Sequence, residues 1–412
     1  MVSLREAFSP ARNLRATFVP PRDAAHLAPL DGLRALSILW VVVFHTAWHS
    51  FLVFPVPRYV ELLTASWMLP VWRGDFGVDV FFVLSGFLIG GLLVDEHAAH
   101  GRIRFGLFYL RRMMRLWPAL LAAALVHYAI FPGQVARAWA NVLYVSNFVP
   151  VLTVGMGWTW SLAIEEQFYL VCPWLVLALR SLPSARARAL AFGALATGLA
   201  AIAALVVISG DFHPLDTEIV YVRPPDVWAR AFDTLYDKPW MRAGPLLLGV
   251  ASAFAARSPR FMDRLAGSGS AGAFAIVTAG LASAAVTHWP LAVGHGRAVE
   301  IAYVALYRLA FGAAVSVVLL FALSTHPVGA RLGRALGHRA LYPFAQLAYA
   351  AYLLNPVVAI LTQGALRDRA LAFPGSPMLL LVPVEIALTF AAALVLHVIV
   401  ERPVMALRPR AA

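Results

Sequence analysis

The sequence predicts an all-α membrane protein, a single bundle of about ten transmembrane helices with both termini in the cytoplasm. Three observations predict this fold class: the composition, a series of apolar segments, and the alternation of basic residues between the segments. Of the 412 residues, 61% are hydrophobic and 13% are charged, and the mean hydropathy is +0.75. Soluble domains carry about 25% charged residues. The excess apolar surface must therefore face lipid.

Ten apolar segments are spaced along the chain. About 20 apolar residues span a bilayer, and every segment approaches this length except a short one near residue 250. Each is expected to form one membrane-spanning helix. The predicted spans are 33–54, 77–95, 116–132, 158–179, 189–209, 241–256, 271–290, 301–323, 343–362 and 378–400.

Basic residues alternate between the two sides of the membrane as ten spans require. The net charge is +12, and two thirds of the 33 Lys and Arg residues fall on the side that holds the amino terminus. Cytoplasmic loops are enriched in Lys and Arg, so both termini are expected inside. Nucleic acid is not an expected partner, because DNA-binding proteins gather positive charge on a soluble face. We expect a basic cytoplasmic tail rather than a signal peptide at 1–30, one membrane domain at 31–404, and a short basic tail at 405–412.

One connection is longer than the others and lies outside in this topology. Residues 210–240 contain six acidic residues and four prolines. Long irregular loops are often functional, but we find no catalytic constellation here. A solvated connector is an equally good interpretation.

The first span carries two ionisable residues, Arg34 and His45. They lie eleven residues apart, which places them on one helix face about 16 Å from each other. Counted from the predicted span ends, His45 and Glu165 lie about 18 Å and about 20 Å from the inner boundary. Ionisable groups at this depth mark functional sites. We expect His45 to act as a general base that Glu165 orients or stabilises. The alternative is a hydrogen-bonded packing role for His45.

A basic cluster lies at the inner end of the third span. Arg112 and Arg115 are three residues apart and therefore share a helix face. Guanidinium groups bind phosphates through charge-assisted, often bidentate hydrogen bonds, so this cluster is a candidate site for a nucleotide-bearing donor. As the alternative, these arginines determine topology and meet anionic lipid headgroups.

Other polar and aromatic residues are weaker candidates. Asp79 opens the second span, and we expect it to cap the helix, with contact to an acceptor as the alternative. Asn355 precedes Pro356 near mid-span, where its amide is placed to satisfy backbone that the proline frees. No metal-binding or nucleotide-loop motif occurs, so we expect no metal and no tightly bound cofactor. Trp158, Trp160 and Tyr169 are expected to be membrane-interface anchors.

Six blocks of sequence occur in the order typical of one known family. They are 30–36 (LDGLRAL) followed by His45, 77–89 (GVDVFFVLSGFLI), 111–118 (RRMMRLWP), 160–169 (WSLAIEEQFY), 236–242 (YDKPWMR) and 401–403 (ERP). With these blocks the chain resembles the acyltransferase-3 family of integral membrane O-acyltransferases, including the branch typified by nose-resistant-to-fluoxetine proteins.

The resemblance implies a reaction and its substrates. It implies an acyl-coenzyme A co-substrate and an acceptor hydroxyl on a sugar, an envelope glycan, a lipid or a secondary metabolite. It also implies a multi-pass protein of a bacterial inner membrane.

The resemblance also implies roles for particular residues. Arg34 and His45 match the family's Arg-x10-His pattern, and Glu165 matches its intramembrane glutamate. Arg112 and Arg115 match its paired arginines. Many relatives carry a histidine in the ninth helix at the position of Asn355, so the chemistry of that second histidine does not carry over.

Two other classes of function remain open on the sequence. One is a transporter or flippase, because intramembrane charges also line transport pathways; the inverted repeats that would favour it are not found. The other is a membrane scaffold or sensor that retains the fold without turnover.

Overall fold

The fold is helical, as the composition predicts. The computed structural model describes residues 3–21, 26–210, 212, 225–288, 296–373 and 376–409 and shows no β-strand among them. Within those ranges, nine helices are long and apolar enough to cross a membrane, which confirms an all-α polytopic membrane protein. We label ten helices: α1 (Ala28–His49), α2 (Phe76–His100), α3 (Phe105–Ile130), α4 (Trp160–Ala178), α5 (Ala185–Gly210), α6 (Gly244–Ala256), α7 (Gly269–His288), α8 (Arg297–Ala322), α9 (Tyr342–Leu371) and α10 (Met378–Leu396).

The short sixth helix is held by direct backbone contact with α2. Helix α6 has 13 residues, fewer than the ~20 that span a bilayer. A Cβ atom added to Gly86 would lie 1.9 Å from the carbonyl oxygen of Leu246, and one added to Gly249 would lie 2.2 Å from that of Val83. Small residues allow such close helix packing inside membranes. Glycine at both positions therefore allows α6 to pack directly against the backbone of α2.

The chain divides into two compact units, and each is built from several stretches of sequence. Unit 1 comprises Met1–Gly77, Arg104–Val142 and Gly337–Ala412. Unit 2 comprises Val78–Ile103 and Leu143–Leu336. Helices α1, α3, α9 and α10 belong to unit 1. Helices α4 to α8 and nearly all of α2 belong to unit 2.

Helix α9 is the centre of unit 1, where it packs against α1, α3 and α10. The Gln363 amide donates hydrogen bonds to the carbonyl oxygen of Thr46 (2.8 Å) and to Oε1 of Glu385 (2.9 Å). The Tyr349 hydroxyl donates to the carbonyl oxygen of Leu116 (2.9 Å). Side chains of α9 therefore fix its position against all three neighbours.

The basic amino-terminal tail, which is part of unit 1, is partly helical. It forms the short helices Leu4–Ala7 and Pro10–Phe18. The Asn13 amide donates to the carbonyl oxygen of Val398 at 3.2 Å. Val398 lies in the π-helical turn His397–Glu401 that follows α10, and such turns displace carbonyls from regular helical bonding. The tail is therefore hydrogen-bonded to the π-helical turn at the end of α10.

Two sequence-based boundaries differ from the structure. Helix α3 begins at Phe105, eleven residues before the predicted span at 116–132, because arginine favours helix although it does not favour lipid. The connection at residues 210–240 was expected to be irregular, and this is wrong for its described part. Proline opens the helices Pro225–Ala231 and Pro239–Arg242, a position that proline favours. Residues 211 and 213–224 of that connection lie outside the described residues.

Candidate functional site

A proline in α9 sets the orientation of the Asn355 side chain. Pro356 has no backbone N–H, so the carbonyl of Tyr352, four residues earlier, loses its helical donor. The Asn355 amide nitrogen donates to this carbonyl oxygen at 2.8 Å and to that of Ala351 at 2.9 Å. Because both carbonyl oxygens are acceptors, the nitrogen must face them. The amide oxygen of Asn355 therefore faces away from its own helix.

That amide oxygen meets the imidazole of His45 on α1. Asn355 Oδ1 lies 2.5 Å from His45 Nδ1. An amide oxygen only accepts hydrogen bonds, so Nδ1 carries the proton. In the neutral ring the lone pair is then on Nε2. The structure thus makes Nε2 the basic and nucleophilic atom of His45.

Two more ionisable residues of unit 1 accompany His45 and were missed by sequence reasoning. The His49 ring lies 6.2 Å from the His45 ring, and its Nδ1 donates to the His45 carbonyl oxygen at 2.8 Å. The buried carboxylate of Asp75 interacts electrostatically with His45. Two features of the sequence could have indicated them. His49 lies four residues after His45 and therefore on the same helix face, and Asp75 lies just before the second predicted span.

A close backbone approach brings the Asp75 segment to α1. The short helical turn Arg73–Asp75 precedes α2. A Cβ atom on Gly74 would lie 2.4 Å from the carbonyl oxygen of Trp40 and 2.5 Å from Cβ of Phe44. Glycine is therefore required at this position for the turn to pack beside His45.

The predicted residues Glu165 and Asp79 both belong to unit 2. Glu165 Oε1 accepts a hydrogen bond from the Ser85 hydroxyl at 2.8 Å, and its pairing with His45 stays a prediction. Asp79 was expected to cap α2, and this is wrong. Its carboxylate lies buried in the first turn of the helix and forms ion pairs with Arg242 and Arg308. Burying an unpaired carboxylate costs more free energy than leaving a helix terminus without a side-chain cap, so the ion pairs are favoured.

The predicted donor arginines lie in unit 1. Arg34 is on the same unbroken helix as His45, and its Nη1 lies 4.0 Å from Oδ1 of Asp31. Arg112 and Arg115 lie on one face of α3 and are half-buried.

A further arginine adjoins this basic cluster. The Arg111 side chain donates from Nε to the carbonyl oxygen of Pro409 at 2.9 Å, which places the segment around Pro409 against α3. Burial lowers the pKa of Arg408, and the positive charges of Arg115 and Arg111 lower it further. Like charges held together favour binding of an anion that neutralises them. On the sequence, Arg408 counted only toward the topology.

The part of the chain that the structure describes contains nine helices long and apolar enough to cross a membrane. A hydrogen-bonded histidine lies on one of them, which defines an integral membrane protein with a polar site. An acyltransferase-3 family model, described as "Acyltransferase domain", matches residues 27–401. The match runs through nearly the whole chain and includes every predicted site residue. The chain belongs to the acyltransferase-3 family.

Two O-acetyltransferases are similar to part of the chain. The O-acetyltransferase OatA of Staphylococcus aureus strain NCTC 8325 is 33% identical over 169 residues, which cover 37% of this chain and 25% of OatA. OatA of S. aureus strain COL matches to the same extent. The chain thus spans about a quarter of the length of the curated relatives that it matches. No solved structure matches the chain.

Proposed function

We propose that this chain is a membrane O-acyltransferase. It transfers an acyl group, most simply acetyl, from acyl-coenzyme A to a hydroxyl of a sugar, an envelope glycan, a lipid or a secondary metabolite. The observation that carries the proposal is the His45–Asn355 hydrogen bond, which leaves the lone pair of His45 on Nε2. Family membership and the name of the OatA relatives support the same class of reaction.

Both chemical routes open to such an enzyme use the Nε2 lone pair. In direct transfer, the acceptor oxygen attacks the thioester carbonyl while Nε2 takes the hydroxyl proton, the carbon–sulfur bond breaks, and coenzyme A leaves as its thiolate. In covalent transfer, Nε2 attacks the thioester carbonyl, the carbon–sulfur bond breaks, and coenzyme A leaves as its thiolate. The acceptor oxygen then attacks the acyl group, the bond to Nε2 breaks, and the freed Nε2 takes the hydroxyl proton. Either route places positive charge on the ring. Asn355 Oδ1 accepts a hydrogen bond from the protonated Nδ1. We propose that Glu165 stabilises the positive charge of the imidazolium.

The donor is proposed to bind on the cytoplasmic side. Arg34, Arg112 and Arg115 would hold its phosphates through charge-assisted hydrogen bonds. Arg34 and His45 lie eleven residues apart on one continuous helix, which separates them by about 16 Å. A donor whose phosphates lie at Arg34 must therefore extend about that far to bring its thioester to His45. The distribution of basic residues supports both termini in the cytoplasm. The OatA relatives are bacterial proteins, which supports our proposal of a bacterial inner membrane.

Acyl transfer by the purified full chain tests the proposal. The protein in detergent is incubated with radiolabelled acetyl-coenzyme A and envelope glycans or small metabolites. His45→Ala should abolish labelling, whereas His100→Ala, which changes an exposed histidine, should leave the rate unchanged. Labelling by His45→Ala at the wild-type rate would refute the proposed chemistry. Mass spectrometry of cells with and without the gene then identifies the acceptor and the acyl group.

A further inference from the structure

A second buried polar cluster, in unit 2, is not used by the chemistry proposed for His45. Arg242 ends the short helix before α6, and its side chain is completely buried. Its Nη2 lies 3.4 Å from Oδ2 of Asp79, and Arg308 binds the same oxygen more closely. The ion-pair contact of Arg242 is therefore long and is shared with Arg308. A buried charge requires closer compensation than this.

Several hydrogen-bonding atoms of this cluster remain unsatisfied. Within the part of the chain that the structure describes, Nε and Nη1 of Arg242 have no hydrogen-bond partner, and neither does Oδ1 of Asp79. Buried polar atoms are almost always paired. The missing partner of Arg242 must be an acceptor, because a guanidinium has only donors. An incoming anion would supply both the acceptor and the charge.

Aromatic rings cover the flat faces of the two guanidinium groups. Arg242 Cζ lies 4.6 Å from the Trp160 ring and 4.7 Å from the Tyr236 ring. Arg308 Cζ lies 5.1 Å from Tyr236 and 4.8 Å from Tyr307. Ring faces stabilise the cations but leave the in-plane N–H groups of Arg242 unsatisfied. Trp160, expected to be an interface anchor, is buried here.

The cluster lies close to the protein surface. Tyr236 and Tyr307, whose rings cover the guanidinium groups, are both partly exposed. Asp79 is in the first turn of α2, Trp160 begins α4, and Arg242 directly precedes α6. In the predicted topology all three helices start at the outer face of the membrane. An acceptor from the cell envelope would arrive at this face.

We propose that Arg242, together with Arg308, binds a carboxylate of the acceptor, so that the substrate is a hydroxyl compound bearing a carboxylate, such as a sugar acid. The inference rests on the proposed function and specifies its substrate class. A carboxylate is planar and singly charged, which suits in-plane guanidinium donors; a phosphomonoester brings nearly two charges at neutral pH. Glu165 lies five residues after Trp160 on α4, about 7.5 Å deeper. A carboxylate held at Arg242 would thus leave the rest of the acceptor directed into the membrane.

Ligand-induced thermal stabilisation of the full chain in detergent tests this site without any acyl transfer. The probes are glucuronate, glucose, and glucuronamide, which differ only at C6. Glucuronate alone should raise the Tm with increasing concentration, because a ligand that binds the folded state stabilises it. An equal rise with glucose or glucuronamide would overturn the proposal. So would an equal rise with sodium chloride or inorganic phosphate at the same concentration.

Substitutions then locate the binding. Arg242→Gln should abolish the glucuronate-dependent rise in Tm. Arg297→Gln is the matched control, since Arg297 lies on α8 outside the cluster, 3.6 Å from Glu300, and it should keep the rise. A rise that persists in Arg242→Gln contradicts the site.

A variant that keeps both arginines provides a second criterion if Arg242→Gln does not fold. Asp79→Asn removes the internal carboxylate that competes for Arg242. It should lower the glucuronate concentration for half-maximal stabilisation by about tenfold, on the order of one lost charge-assisted hydrogen bond. An unchanged or higher concentration would overturn the proposal.

The two proposals fail separately. His45→Ala should retain stabilisation by glucuronate although it loses acyl transfer. Binding without acyl transfer in the wild type would refute the proposed function alone. Acyl transfer to glucose as efficient as to glucuronate would refute the carboxylate site alone.

Discussion

The amide oxygen of Asn355 accepts a hydrogen bond from Nδ1 of His45 at 2.5 Å, joining residues 310 positions apart in the sequence. The amide nitrogen of the same side chain satisfies the Tyr352 carbonyl that Pro356 leaves without a donor. The side chain cannot rotate without exposing that carbonyl. An interruption in the hydrogen bonding of α9 therefore determines which nitrogen of His45 is basic.

Replacing Asn355 should slow catalysis more than it weakens substrate binding. Asn355→Leu removes the acceptor, so the Nδ1 proton is no longer held and the imidazolium loses a partner. Leaving a buried donor unpaired costs about 1–3 kcal/mol, which corresponds to a roughly 5- to 150-fold fall in kcat. The measurement is the initial acetyl transfer rate at saturating donor. The donor KM should change little.

A matched control separates this effect from damage to α9. Thr362 is buried on the same helix, and Thr362→Val preserves its shape. Its kcat should equal that of the wild type. If Asn355→Leu also retains wild-type kcat, the hydrogen bond has no part in the chemistry.

Removing the arginines on α3 should weaken use of the donor. Arg112→Ala or Arg115→Ala removes a charge-assisted contact worth about 1.5–3 kcal/mol, so the donor KM should rise roughly 10- to 100-fold with little change in kcat. Arg102→Ala changes an exposed arginine just before the helix and should leave KM unchanged. Equal effects of all three variants would favour a role in topology or lipid contact instead.

Stability should fall as the pH rises toward neutrality because of Asp237, which lies outside the candidate membrane spans. Burial raises its pKa to about 7, although the Lys238 ammonium, 2.6 Å away, opposes the rise. The unfolded carboxyl has a pKa of about 3.9. The folded state therefore binds the proton more tightly, and this stabilisation is complete below pH ~4 and is lost as the pH rises through ~7.

The pH effect is measured as a difference between variants. Between pH 5 and pH 8, the wild-type Tm should fall relative to that of Asp237→Asn. The corresponding loss in the free energy of unfolding is roughly 2–4 kcal/mol. Asp226→Asn, at an exposed position, should follow the wild type throughout. A wild-type Tm that rises relative to Asp237→Asn over this range would show that the carboxylate is stabilised by its surroundings.

A methyl group at Gly86 should destabilise unit 2. Gly86→Ala places an atom 1.9 Å from the Leu246 carbonyl oxygen, and such overpacking typically costs about 1–3 kcal/mol or more. Gly193→Ala on α5 meets no atom within 4 Å and should be neutral or slightly stabilising. Thermal unfolding in detergent compares the two. Equal stability of both variants would contradict the close contact of α2 and α6.

The fold class was predictable because lipid imposes a simple requirement on composition and segment length. Among the described residues, nine long helices coincide with predicted spans, and the short segment near residue 250 forms the short helix α6. The start of α3 was less predictable. The apolar segment begins after Arg111, Arg112 and Arg115, but the helix already includes them. Hydropathy predicts contact with lipid and does not predict backbone conformation.

The candidate site was only partly predictable, because side-chain partners depend on long-range packing. The Asn355–Pro356 pair did predict the hydrogen bond to a freed carbonyl, since that contact is local. The contact of Asn355 with His45 was not visible, because it joins helices far apart in the chain. The ion pairs of Asp79 with Arg242 and Arg308 were missed for the same reason.

The distance in sequence between His45 and Asn355 also sets when the site can exist during synthesis. A ribosome that has delivered α1 through α8 to the membrane has made the imidazole but not the amide that fixes its proton. Nascent chains released at that stage would carry an imidazole free to exchange its tautomers. Competence for the reaction is therefore acquired late, when the ninth helix is inserted beside the first.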